Sequence, residues 1–391
     1  MQVRSSGSTK LERYATYSLI AMLCIALVRE TSYYFSQETV NLNPIDYIFF
    51  VVALPFLAFG FLKSPKWVRT ALITLCLFAL FSGIISQYQL EREFDPSATV
   101  KVLFPIVILL VGMNSGLNLG SLQLILLGFS TLLLAVVAAV RIFGINTALQ
   151  ITEIRHSTAY LILGLILILF ASRFRMWIKI TFFVFLLSFL VQVNVATALI
   201  GLLTFLSFQL ASSLKLGVIA RISMLGLGAT LVVLTRVDIF RVSSGEVGLL
   251  GSGRVAAWES GLESFAKHDF YAQLFGQGAG SSFQFWGVWW WAQKDIHSDF
   301  LRILIENGFL VFMIVVACFS IGFYRAKTLS NVTSSLLASA LITSLISNGV
   351  LGRPYAALLW VLAAVLASRK TESSTIFQDN VVFERPARQK V

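Results

Sequence analysis

The chain has 391 residues, of which 57% are hydrophobic and only 13% charged. That charged share is about half of what a soluble domain carries, which excludes a water-soluble fold, a disordered chain and a collagen-like repeat. Cys24, Cys76 and Cys318 are scattered through apolar runs, so they read as small hydrophobes rather than a disulfide framework. What remains is an all-α, polytopic membrane protein with a formal net charge of +11.

A helix that crosses the hydrocarbon core needs about 20 mainly apolar residues. Twelve windows meet that requirement, near 14–33, 45–62, 67–87, 97–113, 120–140, 157–172, 175–193, 195–213, 216–235, 299–323, 332–349 and 354–368. The windows between 157 and 213 are tightly joined, as antiparallel helical hairpins require. No stretch alternates in the short pieces of a membrane β-barrel. The chain accordingly divides into helices one to nine (1–235), a long loop (236–298), helices ten to twelve (299–368), and a polar tail expected to be disordered (369–391).

With the N-terminus cytoplasmic, 18 of the 30 Lys/Arg and 4 of the 19 Asp/Glu fall inside, leaving +14 within and −3 without. This is the positive-inside pattern. It places both termini in the cytoplasm and the long loop on the outer side. The basic balance is thus a topology signal, and nucleic-acid binding is not expected. The first apolar stretch ends in Arg29-Glu30 without a small-residue cleavage site, unlike a signal peptide. No repeat and no matched pair of broken helices supports a transporter built from inverted halves.

Loops as long as 236–298 in compact proteins usually carry function. This one holds Trp286, Trp289, Trp290 and Trp291, which suit either an interfacial aromatic belt or stacking against a sugar or lipid carrier. It is expected to form short helices on the membrane surface, one of them amphipathic over 254–266. Gly251-Ser-Gly253-Arg254 before that helix offers backbone N–H groups and a guanidinium, a cradle suited to phosphate. Trp258 follows one turn later. The run Gly276-Gln-Gly278-Ala-Gly280 lacks the spacing and context of a dinucleotide fingerprint and reads as a plain turn.

At the loop's end stands His297, followed by Ser298 and Asp299, either of which can cap the next helix. Counting 100° per residue puts His297 on a face with Leu301, Leu304 and Gly308. Arg302 and Glu306 are spaced to pair with each other, away from His297. Ionisable residues inside a membrane helix mark function by default. Arg155, before the sixth window, is a second outer-side guanidinium; snorkelling explains it equally well. Arg353 and Arg141 carry less information. No His/Cys cluster has metal-ligand spacing, and no nucleophile triad or P-loop is visible.

Taken in order, Gly253-Arg254-x-x-x-Trp258, Leu274-Phe275-Gly276-x-Gly278-x-Gly280 and His297-Ser-Asp-Phe-Leu301…Glu306-Asn-Gly308 resemble the O-antigen ligase/polymerase superfamily. The resemblance covers 251–308, followed by a few closing helices. Two departures matter. Ser298 stands where that family usually has Asn, and Asn194-Val-Ala-Thr197-Ala198 lacks the arginine many members carry at the start of the eighth helix.

The resemblance implies a membrane-embedded, GT-C-like glycosyltransferase with no cofactor. Its donor would be an undecaprenyl-diphosphate-linked glycan. It would invert the anomeric centre without a metal, with His297 as base and Arg254 and Arg155 on the diphosphate. Arg302, Glu306 and Asp299 would support the site, and Trp258, Trp289 and Trp290 would contact sugar or lipid. Polymerisation of repeat units into O-antigen or a related surface polysaccharide is the first expectation. A ligase with lipid A–core as acceptor is the alternative, because little basic surface lies outside for a phosphorylated core. A transporter of lipid-linked glycan or solute is the rival class. Membrane lipids and a chain-length regulator complete the expected partners.

Overall fold

In the computed structural model, the described residues are 10–35, 43–90, 96–115, 117, 121–147, 152–172, 174–193, 195–214, 223, 254–278, 280–284, 294–329 and 331–379. They form α1 (Lys10–Phe35), α2 (Asn43–Lys63), α3 (Lys66–Leu90), α4 (Pro96–Asn114), α5 (Ser121–Thr147), α6 (Thr152–Ala171), α7 (Met176–Val193) and α8 (Ala196–Ser213). After these come α9 (Arg254–Lys267), α10 (Phe270–Phe275), β1 (Phe283–Gln284), β2 (Lys294–Asp295), α11 (Asp299–Leu329), α12 (Asn331–Ile346) and α13 (Pro354–Asp379).

Eleven of the twelve apolar windows therefore fall on helices, and the ninth (216–235) lies, apart from residue 223, outside the described residues. Among the described residues, five helices are long and apolar enough to cross a membrane: Lys10–Arg29, Lys66–Ile84, Met176–Val193, Ala196–Ser213 and Asp299–Gly322. Shorter apolar stretches lie in α2, α4, α5, α6, α12 and α13. The protein has the character of a helical membrane protein.

α13 sits at the centre, packed against α4, α6 and α12. Its sequence from Tyr355 to Val365 is apolar all round, and every side chain in it is buried, Trp360 completely. A helix without a polar face has no stable place except inside the bundle. Where α13 meets α6, Gly164 leaves room for Leu359. α8 and α12 meet through small and hydroxylated residues, with Gly201 against Thr343, and Thr204 and Thr343 bonding back to their own helices. Small residues let membrane helices approach where hydrophobicity alone does not drive them together. α7 lies outermost: Trp177, Ile180, Val184 and Phe185 are exposed, as a lipid-facing surface requires.

Where the sequence leads one to expect a disordered tail from 369, the structure has helix as far as Asp379. Between Pro354 and Asp379 there is neither Gly nor Pro, so nothing breaks the helix, and α13 continues through Asp379. Residues 380–391 lie outside the described residues.

Candidate functional site

The described part of the long loop, 254–278, 280–284 and 294–298, folds onto the beginning of α11. α9 starts at Arg254 and runs one residue further than the amphipathic stretch read from the sequence. Its apolar side lies on a small core of Ala257, Ile296 and Ile305, with Trp258, Phe265 and Leu301 packed around it. Gly261 faces the Ile296 side chain without room for a Cβ. The Trp258 indole Nε1 donates to the Ile296 carbonyl at 3.0 Å. On the exposed side of α9, Lys267 Nζ and Glu263 Oε1 pair at 2.7 Å. That hydrogen bond, and then the charge of Lys267, holds the Glu263 carboxyl below its ordinary value.

A short turn leads into α10, where Asp269 accepts from the Ala272 amide at 2.7 Å as N-cap. Gln273 Nε2 ties the two helices by donating to the Ala266 and His268 carbonyls. α10 ends at Gly276, with φ 86° and ψ 174°. α11 is broken at Gly308, with φ 79° and ψ 175°. Both values lie in a region that only glycine occupies without strain.

These two glycines face each other, and a Cβ on either would collide with backbone of the other segment. The break at Gly308 frees carbonyls that an unbroken helix would use itself. The Gln277 amide donates to the Ile305 carbonyl at 2.9 Å and the Gly278 amide to the Glu306 carbonyl at 3.0 Å. Ser82 of α3 adds a long hydrogen bond to the Glu306 carbonyl, 3.4 Å. The glycine run is therefore a turn, as the sequence suggests, and also a packing element grafted onto α11.

Glu306 is 1% exposed. Its Oε1 accepts from Ser282 Oγ at 2.6 Å and from Arg302 Nε at 3.2 Å. The i,i+4 pair read from the sequence is thus formed, with Ser282 as an unforeseen partner. Glu306 Oε2, Gln277 Nε2 and Asn307 Oδ1 have no hydrogen-bond partner among the described residues. Glu306 lies seven residues into α11, about 10 Å along the axis from its start, so it braces the loop rather than His297. The antiparallel pair Phe283–Asp295 and Gln284–Lys294 joins this region to the start of α11.

His297 lies between β2 and α11, partly exposed, in a left-handed conformation with φ 54°. It is the one non-glycine residue with positive φ among the described residues. The helical phase counted from His297 therefore does not apply. α11 begins at Asp299, and the chain turns sharply before it, so sharing a helical face with Leu301, Leu304 and Gly308 has no meaning for His297.

The residues after His297 are fastened to the far end of α12. Ser298 Oγ donates to the Leu345 carbonyl at 2.8 Å and accepts from the Leu301 amide at 3.3 Å, so Ser298 is the cap. The Asp299 amide donates to the Ser347 carbonyl, and Asp299 Oδ2 accepts from the Gly349 amide at 2.8 Å. Asp299 is 2% exposed.

Around this turn stand residues the sequence did not single out. Tyr160 of α6, wholly buried, donates to Thr197 Oγ1 of α8 at 3.0 Å. Arg353 lies over the Tyr160 ring at 5.2 Å and donates through Nε to the Asn348 carbonyl at 2.9 Å. Through Tyr160, the guanidinium of the α12–α13 turn stands near Thr197 at the start of α8. The only sequence signal for Arg353 was a charge at the boundary of an apolar window.

Of the expected site residues, Trp258 bonds the residue before His297, Asp299 opens α11 two residues after it, and Arg302 and Glu306 pair further along that helix. Arg254 is the first residue of α9, one turn before Trp258, and Arg155 lies in the first turn of α6; the side chains of both are outside the described residues. Trp289 and Trp290 are wholly outside them. Among the described residues, no group of three or more His, Cys, Asp or Glu is placed to hold a metal ion. No protein-family model and no curated protein matches this chain.

Proposed function

We propose that the chain is an inner-membrane glycosyltransferase that polymerises undecaprenyl-diphosphate-linked repeat units into O-antigen or a related surface polysaccharide. The observation that carries this reading is His297, a left-handed, partly exposed histidine braced at one end of a helical membrane bundle. Strained backbone that the surroundings enforce clusters at functional sites, and histidine is the side chain suited to take a proton near neutral pH.

In this mechanism His297 removes the proton from a hydroxyl at the non-reducing end of one repeat unit. The resulting oxygen attacks the anomeric carbon of the growing chain from the face opposite the diphosphate. The carbon–oxygen bond to undecaprenyl diphosphate breaks with inversion, and the proton leaves His297 for solvent. Arg254 and Arg155 neutralise the departing diphosphate, so neither a general acid nor a metal is required. The twelve-helix, GT-C-like arrangement, both termini inside and a periplasmic loop belong to the same proposal.

The test is reconstitution of the chain with a lipid-linked repeat unit, with and without EDTA. Glycan ladders from wild type that persist in EDTA and vanish in His297→Ala are expected. Ladders surviving His297→Ala would remove the base, and loss in EDTA would remove the metal-free step. A ligase shares this chemistry with a different acceptor. In a deletion strain, single repeat units on lipid A–core support the polymerase, whereas naked core beside lipid-linked polymer supports the ligase.

A further inference from the structure

His297 is flanked by anchors on both sides. The torsion φ of His297 is set by the peptide plane that joins it to Ile296, and the oxygen of that plane accepts the Trp258 indole N–H at 3.0 Å. On the following side, Ser298 Oγ grips the Leu345 carbonyl and the Asp299 amide grips the Ser347 carbonyl. Ile296 itself is completely buried against α9. The peptide before His297 is thus held by α9, and the two residues after it by the end of α12. A left-handed residue with a Cβ persists only where its surroundings impose it.

We propose that Trp258 is a positioning residue for His297, acting through its N–H on the Ile296 carbonyl and not through the face of its ring. The inference rests on the reading of His297 as the base and deepens it. The Trp258 side chain packs on the Ala257, Ile296 and Ile305 core, so the tryptophan serves the loop's own fold first. A sugar-stacking tryptophan would act on substrate affinity. A positioning tryptophan acts on turnover and on the imidazole itself.

Trp258→Phe keeps an aromatic face and removes the donor. Benzothienylalanine at position 258 keeps the whole bicyclic shape and removes the N–H alone, which separates hydrogen bonding from packing. Each is compared with wild type in nanodiscs for kcat and KM on a lipid-linked repeat unit. Diethyl pyrocarbonate labelling of His297, with His268 as internal reference, follows the imidazole independently of turnover.

The expected result is a kcat lowered about 10- to 100-fold, because small misplacements of a reacting group have effects of that order. KM stays within about twofold, since ground-state binding is untouched. The His297/His268 labelling ratio shifts in the same variants. Wild-type kcat and labelling in both variants overturn the inference, as does a change confined to KM. A labelling shift in a chain that polymerises nothing leaves Trp258 in its positioning role and removes the polymerase reading instead.

Discussion

Gly276 and Gly308 adopt the same rare backbone conformation and meet face to face, 32 residues apart in the chain. One ends a short loop helix and the other breaks a membrane helix. Through them the amides of Gln277 and Gly278 reach the carbonyls of Ile305 and Glu306. The contact is made of backbone on both sides, so no flexible side chain can yield to an added methyl group.

Alanine at either glycine should therefore be costly. Backbone strain alone contributes about 1–3 kcal/mol, and collision with the opposite chain adds to it. Gly276→Ala and Gly308→Ala should each lower the Tm of the purified chain in detergent. The double variant should cost less than the two singles combined, because both open the same contact. A wild-type Tm in either single variant would contradict this geometry.

Glu306 should tolerate amide better than truncation. Glu306→Ala withdraws the acceptor from Ser282 and Arg302 inside a buried site; breaking such a pair costs about 3–5 kcal/mol when both partners are buried. Arg302 keeps 25% side-chain exposure, so the loss should fall toward the lower end. Glu306→Gln can still accept from Ser282 and should lie between wild type and Glu306→Ala in thermal unfolding. Equal Tm values for the two variants would show that the acceptor role is unimportant.

Asp299 presents a parallel case at the other end of the site. Asp299→Ala leaves the buried Gly349 amide without its acceptor, a loss of about 1–3 kcal/mol. Asp299→Asn retains an oxygen for that amide and should recover most of it. Hydrogen exchange at Gly349 reports the bond directly. Faster exchange in Asp299→Ala and near-native exchange in Asp299→Asn are expected.

The conformation of His297 makes an ordering of substitutions. Glycine accepts φ near +54° freely, whereas a β-branched residue there is a genuine outlier. His297→Val should be the least stable and His297→Gly close to wild type, with a spread of about 1–2 kcal/mol between them. Both lose the imidazole and should lose polymerase activity. Stability and activity would thus separate in His297→Gly, and a valine variant as stable as the glycine variant would sink the backbone argument.

The helices were legible because long apolar runs have only one physical solution in a bilayer. The Arg302–Glu306 pair was legible too, and the cap was narrowed to Ser298 or Asp299, since both are local rules of spacing and residue type. What escaped was non-local. Gly276 and Gly308 follow no shared periodicity, and Asp299 finds Gly349 from 50 residues away. The left-handed turn at His297 also escaped. Counting helical phase through it presumed a helix that begins two residues later, at Asp299. In the sequence Arg353 reads as an ordinary boundary charge, and only the fold sets it over Tyr160.

The broken α11 has a dynamic consequence. Because two of its carbonyls are served by amides from the loop, α10 and the opening turns of α11 share one hydrogen-bond ladder. They should open and close as a single cooperative unit, with similar exchange protection at Gln277 and Gly278 and in the residues just after Ser298. The stretch of α11 beyond Gly308 has its own ladder and should exchange on a different timescale. Residues 299–307, numbered with a membrane helix, would then move with the loop.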